Sequence, residues 1–395
     1  VQNDLLGTLA GSSAPRSTSL ARRIAALSTA VTLACMAGHA DAADVIRSAS
    51  GTFGQTQWQA QSMIVGTQST ATSAGGGNPA YFAPMPKYSG VVTLIMDYGA
   101  AGSFICSGTL LPDRRSILTA AHCVTDAALA NPIKTTAYFY AGSNPDTIPA
   151  ISPDATAIDI GMYFVNSAYT GEVIDQNDVA VLRLASDAPA FAASYDLYTD
   201  ELTGADYNIA GYGARSNGGG NVGANLGAGR LRQGDNSYDF RMGDADFTGG
   251  WELIFGLPTE QIGYSYLADF DNGLAANDAS CNVAGDPFFG LSGPKYCDLG
   301  RGLMEVSSAP GDSGGPQFID GKIASVTSYG LTFGSFYGDI DDKRNDTFGE
   351  FNGFVPVFVH ADFIRYAMSV PEPGSLALLG LGLIGIGLSG RRKRS

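Results

Sequence analysis

The feature that most restricts the fold of this chain is a series of short apolar runs, each closed by turn-forming residues and none with helical spacing. From Tyr88 onward they are Val91–Met96, Ser103–Leu111, Thr135–Tyr140, Ile158–Val165 and Asp178–Leu184, rich in β-branched or aromatic side chains. Runs of this length read as strands, and their even spacing fits an all-β barrel. Composition agrees: 52 glycines and only 15% charged residues suit many turns and argue against a helical bundle.

Candidate chemistry centres on Gly311-Asp312-Ser313-Gly314-Gly315-Pro316. Small neighbours leave a serine hydroxyl accessible and permit the unusual backbone angles of a tight nucleophile turn. The N–H groups of Gly311 and Ser313 then suit a developing oxyanion. A serine nucleophile needs a base, and the chain has three histidines. His39 lies in a segment expected to be removed, and His360 ends an apolar strand where a structural role is expected. His122 remains, in Thr119-Ala120-Ala121-His122-Cys123, where two alanines allow close backbone packing. The carboxylate to orient it is Asp178, which opens an apolar strand and is costly to bury unpaired; taken alone, it would read as a turn residue capping that strand.

These stretches, in the order His, Asp, Ser, resemble the trypsin/chymotrypsin-like serine proteases over about residues 84–368. Ser328-Tyr329-Gly330 is similar to that family's substrate-pairing strand, and Gly211-Tyr212-Gly213 to its Gly-Trp-Gly. The resemblance implies a two-lobed antiparallel β-barrel fold, with the second lobe starting at residues 207–213 and a short C-terminal helix over Ala361–Met368. It also implies a serine endopeptidase acting on protein or peptide substrates, with His122, Asp178 and Ser313 as triad and no metal or organic cofactor. Cys106–Cys123 and Cys281–Cys297 sit where the family has disulfides. Ser307 falls at the base of the family's primary pocket, with Pro310, Ser328, Tyr329 and Gly330 also placed for substrate. A hydroxyl at 307 argues against Arg/Lys selection, and Gly330 with Gly353 suggests open walls for a large apolar side chain. Ala309 stands where a pocket cysteine is usual, so rearranged walls are an alternative. A catalytically silent homologue acting as an envelope or matrix binding module is the rival reading, and an esterase using the same triad is another.

Ile64-Val65-Gly66-Thr67 resembles the new N-terminus of activated family members, whose ammonium pairs with the aspartate before the nucleophile, here Asp312. Met63 in place of Arg or Lys, and a long stretch to Cys106, favour instead a short strand unrelated to activation. Residues 43–83, rich in Ser, Thr, Gly and Gln, are expected to be a flexible pro-segment. Residues 214–280 exceed the family's usual connection and are expected to form a surface insertion. Asp320-Gly321 predicts a type I′ hairpin.

The ends read as processing signals. Arg22-Arg23, an apolar run and Ala40-Asp41-Ala42 suggest a secretory signal peptide over 1–42. Residues 369–395, with Val370-Pro371-Glu372-Pro373, the apolar run Leu376–Leu388 and Arg391–Arg394, resemble the PEP-CTERM sorting signal of Gram-negative bacteria. That implies an exosortase-type partner, membrane contact through this segment, and export to the envelope or extracellular matrix. The apolar run is short for a transmembrane helix. Formal net charge is −15 with basic residues at both ends, which leaves an acidic body and makes nucleic acid a poor partner. Of five cysteines, Cys35 lies in the signal segment; the even four suit an oxidising compartment, and the lack of CxxC spacing argues against zinc. Asp244-Ala245-Asp246 and Asp339–Asp342 lack the placement of a calcium loop and are expected to be solvated.

Overall fold

The computed structural model describes residues 47–371, apart from 55, 63 and 126–129. An N-terminal hairpin, β1 (Ser48–Phe53) and β2 (Thr56–Gln61), leads through the short β3 (Val65–Gly66) to the first lobe. There β4 (Val91–Asp97), β5 (Ser103–Leu110), β6 (Ser116–Thr119), β7 (Lys134–Phe139), β8 (Thr156–Val165) and β9 (Ala180–Leu184) close a barrel in the order β4-β5-β6-β9-β8-β7. Five of the six follow from the apolar runs. Ser116–Thr119, four residues long and directly before the histidine turn, does not.

The second lobe is a sheet ordered β11-β10-β15-β16-β17-β13-β12. Its strands are β10 (Asp206–Gly211), β11 (Arg232–Ser237), β12 (Phe240–Arg241), β13 (Tyr266–Asp269), β15 (Pro316–Ile319), β16 (Lys322–Thr332) and β17 (Phe351–Pro356). The short β14 (Val306–Ser307) pairs with β3. Helices are few: α1 (Gly250–Phe255), α2 (Thr259–Ile262), α3 (Ala279–Ala284) and a C-terminal α4 (Ala361–Ser369). The chain is thus all-β and two-lobed, with a short terminal helix. Between β15 and β16, Asp320 (φ 50°) and Gly321 (φ 74°) both take the left-handed conformation that a two-residue type I′ turn demands.

Two expectations are corrected. Residues 47–83 are not a loose tether within the described chain, because β1 and β2 carry aromatic anchors. The Phe53 ring stacks on Tyr337 at 5.1 Å, and Trp58 meets Phe255 edge-on at 4.9 Å. Nor is 214–280 a mere surface insertion. It supplies three sheet strands and a buried aromatic cluster in which Trp251, fully buried, stacks on Phe240 at 5.4 Å and Phe255 at 5.7 Å. Burying each such side chain contributes about 1.5–3 kcal/mol, which draws these residues inward despite the polar, glycine-rich sequence around them. The signal segment 1–42, His39, Cys35 and the apolar run Leu376–Leu388 lie outside the described residues. No helix among the described residues is long and apolar enough to cross a membrane.

Trp251→Ala is expected to lower unfolding free energy by about 3–5 kcal/mol, measured by urea denaturation. A loss well under 1 kcal/mol would contradict the packing assigned to this cluster.

Candidate active site

The histidine is placed by the end of β6. After Thr119 the chain enters a 3₁₀ turn, Ala121–Cys123, and Ala120 and Ala121 are fully buried, leaving no room for larger side chains. A disulfide from Cys123 to Cys106 on β5, with Cα atoms 6.2 Å apart, fixes the turn from behind. The second disulfide, Cys281–Cys297, ties α3 to the following loop.

Asp178 enters just before β9 and is 2% exposed. Its Oδ1 accepts the His122 backbone N–H at 2.8 Å, its Oδ2 lies 2.7 Å from His122 Nδ1, and the Ser328 hydroxyl donates to Oδ2 at 2.5 Å. Burial pulls this carboxyl upward, but the His122 charge and the three hydrogen bonds win and hold it below the usual carboxylate range. The pair fixes Nδ1 toward the carboxylate, leaving Nε2 for other chemistry.

Ser313 reaches the same place from the second lobe. Gly311 (φ 100°) and Gly314 (φ 77°) make the loop sharp. A Cβ on Gly314 would fall 1.9 Å from Thr119 Oγ1, so the loop lies directly against the end of β6. Ser107 on β5 completes the joint: its N–H donates to Ser313 O at 2.8 Å and its hydroxyl to Gly311 O at 3.0 Å. His122 and Ser313 then border one cavity of about 340 Å³, together with Ser62, Ile105, Pro310 and Gly311. No hydrogen bond joins Ser313 to His122 among the described residues; in free enzymes this contact commonly closes only with substrate. Neither the Gly311 nor the Ser313 amide donates to a protein group among the described residues, which leaves both available for an oxyanion.

Asp312 points the other way. Its Oδ1 accepts from Gly213 N–H at 2.7 Å, and its Oδ2 accepts from Ala309 N–H at 2.9 Å and from the Ile64 N–H. A Cβ on Gly211 or Gly213 would fall 2.2 or 2.4 Å from Asp312 atoms, so those glycines exist to admit this carboxylate. Val65 and Gly66 form a short strand, as expected, and the Ile64 N–H beside it reaches Asp312.

The remaining site residues are spread over two roles. Pro310 borders the cavity, and Ser328 serves Asp178. The Tyr329 ring is fully buried, and its hydroxyl lies 2.7 Å from Ser265 Oγ. The Ser307 hydroxyl donates to Asn352 Oδ1 at 3.0 Å, and the Ser308 hydroxyl to the same oxygen at 2.6 Å. The two glycines expected to leave the pocket walls open are both crowded. Gly353 lies against the Tyr329 ring, 2.3 Å from where its Cβ would be, and a Cβ on Gly330 would fall 1.9 Å from Arg344 Nη2. That guanidinium is buried, paired with Asp346 at 2.6 Å and Glu350 at 3.0 Å. Sequence reasoning missed Asn352, Arg344 and Ser107. Arg344 follows Asp341-Asp342-Lys343, which looks like a solvated charge run, and nothing local marks it otherwise. Along the other edge of β16, β2 pairs antiparallel, Gln61 opposite Gly330, Ala60 opposite Leu331 and Gln59 opposite Thr332. His360 lies apart, with Nε2 on Gln176 O at 2.7 Å, in the structural role expected of it.

A family model for trypsin matches residues 82–340. The chain belongs to the trypsin family. A model of the PEP-CTERM protein-sorting motif matches residues 369–393. Among curated proteins, alkaline trypsin B of Manduca sexta is similar: 22% identical over 256 residues, covering 62% of this chain and 77% of that relative. In trypsin-family terms the domain is that of a serine protease.

Burial pushes the Asp312 carboxyl up to about 8, against the Gly213 and Ala309 amides that pull it down, with the Asp346 charge adding to the rise. Its folded value lies above the ordinary 3.8, so the fold favours the neutral acid; that stability is full below about pH 4 and is lost as pH rises through about 8. The stability of the uncut chain relative to Asp312→Asn is therefore expected to fall across this window, read as the difference in thermal midpoints. A difference that grows with pH would contradict the assignment.

Proposed function

We propose that this trypsin-family chain is an active serine endopeptidase using His122, Asp178 and Ser313. Ser313 Oγ attacks the peptide carbonyl carbon while His122 Nε2 takes the hydroxyl proton. The Gly311 and Ser313 amides hold the tetrahedral oxyanion. His122 then gives the proton to the leaving amine, and a water reverses the sequence to release the acyl group. Asp178 keeps the imidazole tautomer and offsets the charge that forms on it. The observation that carries this reading is the His122 Nδ1–Asp178 bond of 2.7 Å behind a cavity shared by His122, Ser313 and two undonated amides. It weighs against a silent homologue, for which such a costly buried arrangement serves no purpose. Turnover of esters without cleavage of casein would mark the esterase alternative.

The edge of β16 opposite β17 at Gly330 is where an extended substrate adds as a strand once β2 has left, by main-chain hydrogen bonds. In the uncut chain Gln59–Gln61 hold that edge and Ser62 borders the cavity, so the pro-segment blocks the substrate path. Cutting before Ile64 gives its nitrogen a charge beside Asp312 and lets the preceding strand leave. The crowding of Gly330 by Arg344 argues against a large apolar side chain in the primary pocket. Targeting follows from the ends: an exported protein, sorted through residues 369–393 by an exosortase-type enzyme, with membrane contact through that segment and residence in the envelope or matrix.

A fluorophosphonate probe is expected to label the wild type, cut before Ile64, and not Ser313→Ala; an unlabelled, folded wild type would sink the proposal in favour of a binding role. Asp178→Asn is expected to lower kcat by about 10⁴-fold, the size seen when such a triad loses its carboxylate. The uncut chain is expected to hydrolyse peptides far more slowly than the cut one; equal kcat/KM for both would remove the blocking role of β2.

A further inference from the structure

Behind the Ser307 strand lies a second concentration of acid that the proposed chemistry does not use. Asp269 ends β13, Asp271 follows it, Asp278 caps α3, and each places a carboxylate oxygen within 4.8 Å of the other two. Glu305, just before β14, and Asp239, between β11 and β12, stand beside them. Gly300 (φ 78°) brings two of these groups together: a Cβ there would meet Asp271 Cβ at 2.6 Å and Glu305 Oε2 at 3.0 Å. All five are buried, with Asp271 3% and Glu305 0% exposed.

Several of these carboxylates are anchored through one oxygen. Ser280 N–H donates to Asp269 Oδ2 at 2.8 Å, Cys281 N–H to Asp278 Oδ1 at 2.8 Å, and Arg301 N–H to Glu305 Oε2 at 2.6 Å. Asp271 Oδ1 and Glu305 Oε1 are buried with no hydrogen-bond partner. The nearby cations are committed elsewhere, Arg301 to Asp206 and Lys295 to Asp244 and Asp246. Among the described residues no ion pair joins Lys or Arg to any of the five. Burial, and next the charges of neighbouring carboxylates, raise Asp239, Asp271 and Asp278 above the usual range. Unpaired buried carboxylates cost several kcal/mol each unless protonated or bound to a cation.

We propose that Asp269, Asp271, Asp278 and Glu305, with Asp239 alongside, form a binding site for a hard divalent cation of the calcium class. The donors are all oxygen, which disfavours zinc and copper, and several carboxylates converging from four chain segments suit the irregular, many-oxygen shell of Ca²⁺ more than octahedral Mg²⁺. A neighbouring cavity of about 300 Å³, bounded by Asp239, Asp298 and Gly300, gives a way in from solvent. The cation would tie β13 and α3 to the turn that carries Glu305. That turn is itself joined to the activation strand: Glu305 O accepts from Thr67 N–H at 3.0 Å, and Val306–Ser307 pair with Val65–Gly66. The two acidic patches weighed from sequence are different ones.

The test uses the full chain carrying Ser313→Ala, so that self-digestion does not intervene. Calcium titration by calorimetry is expected to give one saturable site and a higher thermal midpoint than in chelator. Tb³⁺ should luminesce through the surrounding tyrosines and be displaced by Ca²⁺. Asp271→Asn and Glu305→Gln are expected to weaken Ca²⁺ by at least about 10–100-fold, whereas Asp244→Asn should leave it unchanged. A parent chain that binds neither ion would overturn the site whether or not the variants fold. Equal affinity in Asp271→Asn and Glu305→Gln would overturn the ligand assignment, and Mg²⁺ bound more tightly than Ca²⁺ the choice of ion.

Discussion

In the proposed mechanism the two lobes carry different halves of the chemistry, so everything rests on the joint that holds the Ser313 loop to the end of β6. Ser107 makes it with both its N–H and its hydroxyl, and Gly314 makes it by lacking a side chain where Thr119 stands. With that joint in place, a histidine fixed by one barrel faces a serine fixed by the other sheet. Without it, His122–Asp178 would be a buried hydrogen-bonded pair with no nucleophile to serve, and a buried carboxylate is costly to desolvate.

Three sets of buried carboxylates are compensated differently. Asp178 is compensated by an imidazole and a hydroxyl, and stays acidic. Asp312 is compensated only by backbone amides in the uncut chain, which leaves a place for one positive charge. The group around Asp271 is paired with no basic side chain among the described residues. The last two leave a deficit, which the proposals above fill with a freed amine at Asp312 and an external cation near Asp271. The acidic net charge is therefore not simply a solvated surface, because several of the acids sit inside the second lobe.

Much of this was legible in the residues. His122, Asp178 and Ser313 stand out because of their small or apolar neighbours and because their order is that of the resembled family, and the first barrel shows itself as β-branched runs. What was hidden depends on contacts between segments far apart in sequence. Four residues, Ser116–Thr119, are too few to show periodicity, although they place the histidine. Asn352 meets Ser307 and Arg344 meets Gly330 only because β17 and the loop before it fold back along β16. The flexible look of residues 47–83 came from their polar composition, yet Phe53 and Trp58 were enough to anchor them. Asp239, Asp271, Asp278 and Glu305 are scattered over more than sixty positions and carry no spacing that local reading could recognise.

The most direct test of the account is a crystal structure of the chain beginning at Ile64, soaked with a peptide aldehyde. The account predicts a covalent bond from Ser313 Oγ to the aldehyde carbon. The new oxygen should lie about 2.7–3.1 Å from the Gly311 and Ser313 amides, with the peptide paired along Gly330. A peptide bound without that bond, or an oxygen turned away from both amides, would contradict it.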